Sequence, residues 1–283
     1  MNQFIENMFY LNNDIRETFA IARKEIQIDL RFAISYIFQS IVSPLGRLVP
    51  ILTVYAATVG QNAISPIPGL TKETYIPFLA LGIIFNTAWR ASTSVFRDKF
   101  QRDKWARTIE LLFIAPIRTS AIVVGYGISV IVQNIPTFTI FLLALWIIHP
   151  TSLTGFFLAF LAFILVTLIG LSVGLVFGGA TLATENITPF LSYIISAFTF
   201  LTPFFYPIEL INKLPYPINV ILDPLIRYNP LNSALSFART AWLNNGTADP
   251  REIVYVFFVT LVLSLTAGYT FREIWRRYGI QGS

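Results

Sequence analysis

The chain has 283 residues, of which 55% are hydrophobic and only 12% charged, with 26 phenylalanines; soluble domains carry about 25% charged residues. That balance excludes an ordinary soluble domain and identifies an integral membrane protein. With no cysteine and a single histidine, His149, a disulfide framework, a thiolate metal site and a histidine-based metal centre are excluded as well. The net charge of +5 calls for no nucleic acid, because the basic residues stand beside apolar runs, where they set membrane orientation.

The first element is predicted before any span. Ile15, Phe19, Ala22, Ile26 and Leu30 recur at helical spacing, with Arg16, Arg23, Lys24, Glu25 and Asp29 mostly elsewhere around the helix. Asp14 and Glu17 form an N-cap and capping-box pair. The reading is an amphipathic helix lying in the cytoplasmic interface; a solvated helix packed on the protein's own base is the alternative. No cleavable signal pattern precedes the first apolar run.

Six apolar runs then approach or exceed the roughly 20 residues that a hydrocarbon core requires: Phe32 to Val59, Tyr75 to Phe96, Ala121 to Ile148, Leu153 to Ala180, Pro189 to Tyr206 and Ile253 to Phe271. The first two hold one arginine each, Arg47 and Arg90, and the other four hold no ionisable Asp, Glu, Lys, Arg or His. Arg90, near a span end, snorkels to the interface. Arg47 is nearly mid-span, and no span offers a carboxylate to pair with it. It is read as facing a dimer seam or wet cavity and meeting an anionic substrate or lipid headgroup; backbone carbonyls freed near Pro44 and Pro50 are the alternative partner.

Between the second and third runs, Arg97 to Glu110 contains Arg97, Asp98, Lys99, Arg102, Asp103, Lys104, Arg107 and Glu110. Trp105, Ile109 and Leu112 stand at i, i+4 and i+7, and Pro116 limits the segment, so a short amphipathic helix is predicted over about 97–116. A plain topology anchor would account for the basic residues but not for the amphipathic spacing. Further on, Pro207, Pro215, Pro217, Pro224, Pro230 and Pro250 interrupt apolar stretches too short to cross. Irregular backbone at membrane depth survives only when buried in protein or lining a cavity, so a re-entrant outer hairpin is predicted over about 206–240, with an extracellular loop as the alternative. Phe198, Phe204, Phe205 and Tyr206 line an amphipathic substrate path or form an interfacial belt.

Thirteen of the twenty basic residues fall on one side of this arrangement, five on the other and two inside spans. The positive-inside rule therefore places both termini and the 97–116 segment in the cytoplasm. The expected organisation is a cytoplasmic segment 1–31, a six-span domain 32–271 and a cytoplasmic tail 272–283, all-α throughout.

Two stretches carry a family resemblance. Thr108, Ile109, Glu110, Leu111, Leu112, Ala115 and Pro116 form one, and "TPFFYPIELINKLPYP…RYNPLNSALSFAR", with Asn229, Pro230 and Leu231 as its signature turn, forms the other. Together with the order of interfacial helix and spans, they resemble the permease subunits of type 2 ATP-binding-cassette exporters, the group with the daunorubicin- and nodulation-factor-exporter permeases. The resemblance covers nearly the whole chain. One departure is that family members often carry several acidic residues before the Thr-x-Glu turn, where this chain is rich in Arg and Lys.

The resemblance implies that the 97–116 helix is a coupling element pressed by a separate ATPase, through Arg102, Lys104, Arg107, Thr108 and Glu110. It implies a pair of permease chains, identical or related, with two ATPase subunits that bind ATP and Mg, in the plasma membrane. This chain would bind no cofactor and catalyse nothing by itself. The absence of any G-x-x-x-x-G-K-[ST] loop agrees with a separate ATPase. The expected cargo is an amphipathic drug, lipid or lipid-linked glycan. Polysaccharide-export permeases share the "FYP" feature and are the nearest alternative. A secondary transporter predicts intramembrane acids, which the six runs lack, and an integral membrane enzyme would leave His149, beside Pro150, without an acid or nucleophile nearby.

Overall fold

The computed structural model describes residues 15–28, 72–106, 118–184 and 187–278, with residues 38, 42, 46, 49 and 53 singly between the first two stretches. Regular structure among the described residues is helical: α1 (15–28), α2 (Lys72–Trp105), α3 (Thr119–Ile148), α4 (Leu153–Ala183), α5 (Thr188–Leu201), a 3-10 turn Ile208–Lys213, α6 (Ile218–Arg227), α7 (Pro230–Leu243) and α8 (Pro250–Tyr278). Apart from those five single residues, the expected first span lies outside the described residues, Arg47 included, as do the cap Asp14 and the turn from Arg107 to Pro116.

Length and composition sort these helices. α3, α4 and the stretch Pro250–Arg277 are long and apolar enough to cross a membrane. α2 contains the expected second span, yet it does not stop at Phe96: it runs unbroken to Trp105, so Arg97 to Trp105 are its last turns and not a separate helix. α5 has 14 residues, about 21 Å at 1.5 Å per residue, against a hydrocarbon core of about 30 Å. The six expected spans thus appear as three clearly apolar ones among the described residues, with α2 charged at one end and α5 short.

α4 is the central post, packed by α2, α7 and α8. Gly170, Gly174 and Gly178 recur every four residues along the face it turns to α2. A Cβ on Gly174 would lie 2.7 Å from the Ser92 carbonyl oxygen and 2.8 Å from that of Thr93, and one on Gly178 would lie 2.7 Å from the Phe96 Cβ. Backbones approach that closely only over small residues, the usual means of helix association in a membrane.

Two apolar cores flank this contact. Phe85, Phe138, Phe163, Leu235 and Trp242 belong to the one near the α3–α4 turn. Phe96, Phe100, Tyr126, Leu175 and Phe271 belong to the other, where the Phe100 and Phe271 rings stack 5.5 Å apart. The α3–α4 turn is held by Ser152, whose side chain caps α4 through the Gly155 N–H, and by Thr151, whose hydroxyl donates to the Trp242 carbonyl at 2.7 Å.

The proline-rich segment folds into short pieces because several of its prolines fall at helix starts, although Pro224 lies inside α6. Pro207 and Pro217 precede the 3-10 turn and α6, and Pro230 opens α7. α7 lodges among α2, α4 and α8, with Ala234, Leu235, Ala238, Ala241 and Trp242 buried. It begins beside Thr202, at the end of α5, and finishes beside His149 at the α3–α4 turn.

Candidate functional site

The end of the bundle that carries α1, the last turns of α2 and the first turn of α3 is built around one carboxylate. α1 lies against α2 and α3, with Ala22 and Glu25 buried and Ile21 close to Gly125. Glu25 is fully buried and accepts from Lys99 Nζ at 2.7 Å and from Arg102 Nη2 at 2.9 and 3.0 Å. Lys99 also donates to Ser129 Oγ at 3.1 Å and sits over the Tyr126 ring, 5.1 Å from its centroid. Tyr126 donates its hydroxyl to Asp103 at 2.8 Å, and Arg102 Nε lies 3.6 Å from the same carboxylate.

Two acids and two bases therefore neutralise one another in a largely dry cluster that spans α1, α2 and α3. Burial alone would push the Glu25 carboxyl up; Lys99 and Arg102 outweigh it and hold the carboxyl below its ordinary value of 4.5. Nothing here is arranged as an acid–base pair facing a cavity. The arrangement is mechanical: it clamps α1 to the end of α2, and beyond the clamp Lys104 and Trp105 stand exposed, Trp105 at 81%. Beside them a hollow of about 240 Å³ is lined by Phe100, Gln101, Lys104, Trp105, Leu182 and Thr188 among others.

The expected coupling residues divide accordingly. Lys104 is exposed at the surface, whereas Arg102 is turned to Glu25 and Asp103 and keeps only part of its side chain outside. Arg107, Thr108 and Glu110 lie outside the described residues. Sequence reasoning placed Glu25 among the charges turned away from the helix's apolar face; in the fold it shares the buried face with Ala22, one turn away. An acid next to Ala22 and Ile26 was the available signal.

The expected path residues also separate. Phe198 and Phe205 are exposed, and Tyr206 is half-buried with its hydroxyl donated to the Phe200 carbonyl at 2.8 Å. Phe204 differs from the expectation: its ring is buried in the core with Leu235 and Trp242, because the chain turns inward after α5. Asn229, Pro230 and Leu231 form a helix start. The Asn229 side chain accepts from the Leu231 N–H at 3.0 Å and donates to Thr202 Oγ1 at 2.9 Å, tying α7 to the end of α5.

Arg239, counted from the sequence among the basic residues of the outer side, is buried. α5 stops at Leu201, and the chain after it has carbonyls that no helical N–H reaches. Arg239 supplies the donors: Nη1 to Pro203 O at 2.9 Å, Nη2 to Phe204 O at 2.7 Å and to Phe78 O at 3.0 Å, with the guanidinium 3.4 Å from the Phe78 ring centroid. Arg239→Met keeps roughly the volume and orphans the Pro203 and Phe204 carbonyls, while that of Phe78 lies within α2. The expected loss is about 3 kcal/mol, at the upper end for unsatisfied buried groups, read as a lower unfolding midpoint in detergent. Arg227→Met, which breaks only the exposed pair with Asp223, should change the midpoint little.

Among the described residues no group of three or more His, Cys, Asp or Glu is placed to hold a metal ion. Comparison with curated proteins finds no match. The family model described as "ABC-2 type transporter" matches residues 16–225, from α1 into α6. Membership in that family implies a partnering ATP-binding subunit in general. A match over most of the chain, on helices long and apolar enough to cross a membrane, makes this protein a member of the ABC-2 type transporter family, a membrane-embedded transport permease that is not itself catalytic.

Proposed function

We propose that the chain is the permease subunit of an ATP-driven exporter, moving an amphipathic drug, lipid or lipid-linked glycan out of the cytoplasm or inner leaflet by alternating access. Two such chains, identical or related, work with two ATPase subunits, which bind the ATP and Mg. Both termini face the cytoplasm of a cell whose plasma membrane holds six spans per chain, with the 206–240 region re-entrant on the outer side. The basic charge asymmetry supports this orientation.

The clamp at the end of α2 carries the reading. A push delivered beyond Trp105, on the segment with Arg107, Thr108 and Glu110, meets a helix end locked to α1 by Glu25 and cannot be absorbed by local bending. It passes along α2, whose middle turns are packed on α4. Lys104, Trp105 and the hollow beside them supply surface for the ATPase. At the far end Phe198, Phe205 and Tyr206 offer apolar rings to an amphipathic cargo; Arg47, expected in mid-span from the sequence, would offer charge to an anionic one.

The test is recovery of the tagged chain from native membranes. A nucleotide-binding subunit with ATPase activity should co-purify, and Arg107→Ala with Glu110→Ala should lower its recovery or activity about tenfold, the loss of about 1.4 kcal/mol of contact. Inverted vesicles should accumulate the cargo on addition of ATP. A clean preparation with no nucleotide-binding partner would remove the exporter reading.

A further inference from the structure

α3 and α8 both lean on α4 but diverge towards the charged end, leaving a groove of about 930 Å³ between them. Its floor is Leu168, Leu171 and Leu175 of α4, and its walls are apolar residues of α3 and α8. Along α3 it runs from Thr119 to Ile131, about 18 Å at 1.5 Å per residue, close to the half-thickness of a hydrocarbon core about 30 Å thick. Its flanks open sideways, with Val124, Leu265 and Tyr269 exposed.

The two ends of the groove differ in chemistry. At the mouth stand Arg118 and Arg272, both exposed, with Thr119 and Ser120. The first turn of α3 begins there; the Arg118 side chain does not cap it and the Glu17 carboxylate accepts from the Arg118 N–H at 3.5 Å, so the two guanidinium groups, and not the helix end, supply the positive charge of the mouth. Among the described residues that line the groove there is no Asp or Glu, and Glu17 of α1 stands just outside the mouth. At the inner end the hydroxyls of Ser172 and Ser264 bond one another at 2.9 Å and ask for no polar ligand. The shape therefore fits an amphiphile with an anionic head and an apolar tail one leaflet long.

We propose that this groove binds an anionic phospholipid of the leaflet at the charged end, its phosphate held by Arg118 and Arg272 and its acyl chain lying on α4 between α3 and α8. Basic sites between spans recognise such headgroups on the same physical grounds. The lipid acts as a wedge that keeps α3 and α8 apart, and its binding is independent of the identity of the transported molecule. The site also lies away from Phe198, Phe205 and Tyr206, on a different pair of helices.

Two glycines make the groove testable. A Cβ on Gly268 would meet nothing within 4 Å, and one on Gly127 would meet only Leu171 at 3.8 Å. Gly268→Leu therefore fills the groove without displacing protein. The experiment titrates the purified full chain with phosphatidylglycerol or phosphatidylcholine and reads retained lipid by native mass spectrometry, with the unfolding midpoint alongside.

The wild-type chain should favour phosphatidylglycerol on the order of 25-fold, about fivefold for each arginine. Arg118→Gln with Arg272→Gln should bring the two lipids to parity, and Arg272→Gln alone should remove about fivefold. Gly268→Leu should reduce retention of both lipids while leaving the midpoint in lipid-free detergent unchanged. Equal retention of the two lipids by the wild type, an undiminished preference in the arginine variants, or full lipid retention in Gly268→Leu would each overturn the proposal. So would a change of oligomeric mass in Gly268→Leu, which would give the groove to a second copy of the chain.

Discussion

Glu25→Gln should destabilise the protein by about 3–5 kcal/mol, the usual consequence of removing one partner from a buried ion pair. The glutamine keeps the volume and one carbonyl acceptor but leaves Lys99 and Arg102 facing each other across a site with only Asp103 to balance them. Lys24→Met is the control. Its pair with Glu25 is 3.8 Å long and half exposed, so its loss should cost less than about 1 kcal/mol. Adding Lys99→Met to Glu25→Gln should recover part of the loss, because the buried charge left over is then removed as well. A Glu25→Gln protein as stable as wild type would show that the cluster is not a clamp.

The same residue sets an acid dependence. The Glu25 carboxyl is held below its ordinary value of 4.5 in the folded protein, so it favours folding in full above that value. The contribution declines as the pH falls below 4.5 and is lost once the pH drops through the lowered folded value. The unfolding midpoint of the wild type should therefore fall, as the pH drops below the ordinary value of 4.5, more steeply than that of Glu25→Gln, which lacks the carboxyl at this position. Under the export reading, Glu25→Gln should also uncouple: ATPase recovery with the chain persists while ATP-driven transport drops, since α1 no longer braces α2.

Much of this molecule was legible in the sequence because it is written in the pattern of charge. The apolar runs from Ala121 to Ile148 and from Leu153 to Ala180 coincide with α3 and α4 within a few residues, since twenty or more apolar residues in a row have few other uses. The spacing of Ile15, Phe19, Ala22 and Ile26 forecasts α1. The break expected at Phe96 rested on the onset of charge and is absent from α2, because a helix ends where capping or proline ends it, and charge alone does not break one.

What escaped the sequence is what depends on contacts between distant segments. Glu25 meets Lys99 across 74 positions, and Arg239 meets Phe78 across 161. Both residues read as surface charges, because burial of a charge is decided by the partner that another helix brings. Phe204 read as a path residue for the converse reason: an aromatic cluster looks the same facing a cavity or a core. Gly170, Gly174 and Gly178 did carry a local signal, a small residue every fourth position in an apolar helix.

Gly174→Leu should be among the most disruptive single changes at the contact between α2 and α4. A Cβ at this position would already sit 2.7 and 2.8 Å from the carbonyl oxygens of Ser92 and Thr93, and those atoms belong to the backbone of α2, so no rotamer change relieves the contact. The longer side chain must push α2 away from α4, opening both apolar cores that the contact separates. The expected loss is about 3 kcal/mol or more, beyond the usual range for overpacking because the obstacle is main chain. Folded protein recovered by size exclusion should fall sharply, and what is recovered should melt early. Gly174→Ala, with a single added carbon, should cost about 1–2 kcal/mol and still fold, which makes it the variant for transport. α2 links the charged end to the core beside Phe204, so loosening its seat on α4 should lower transport per ATP hydrolysed while the partner subunit remains bound. A Gly174→Leu protein with the wild-type midpoint would mean that α2 and α4 do not meet along this stripe.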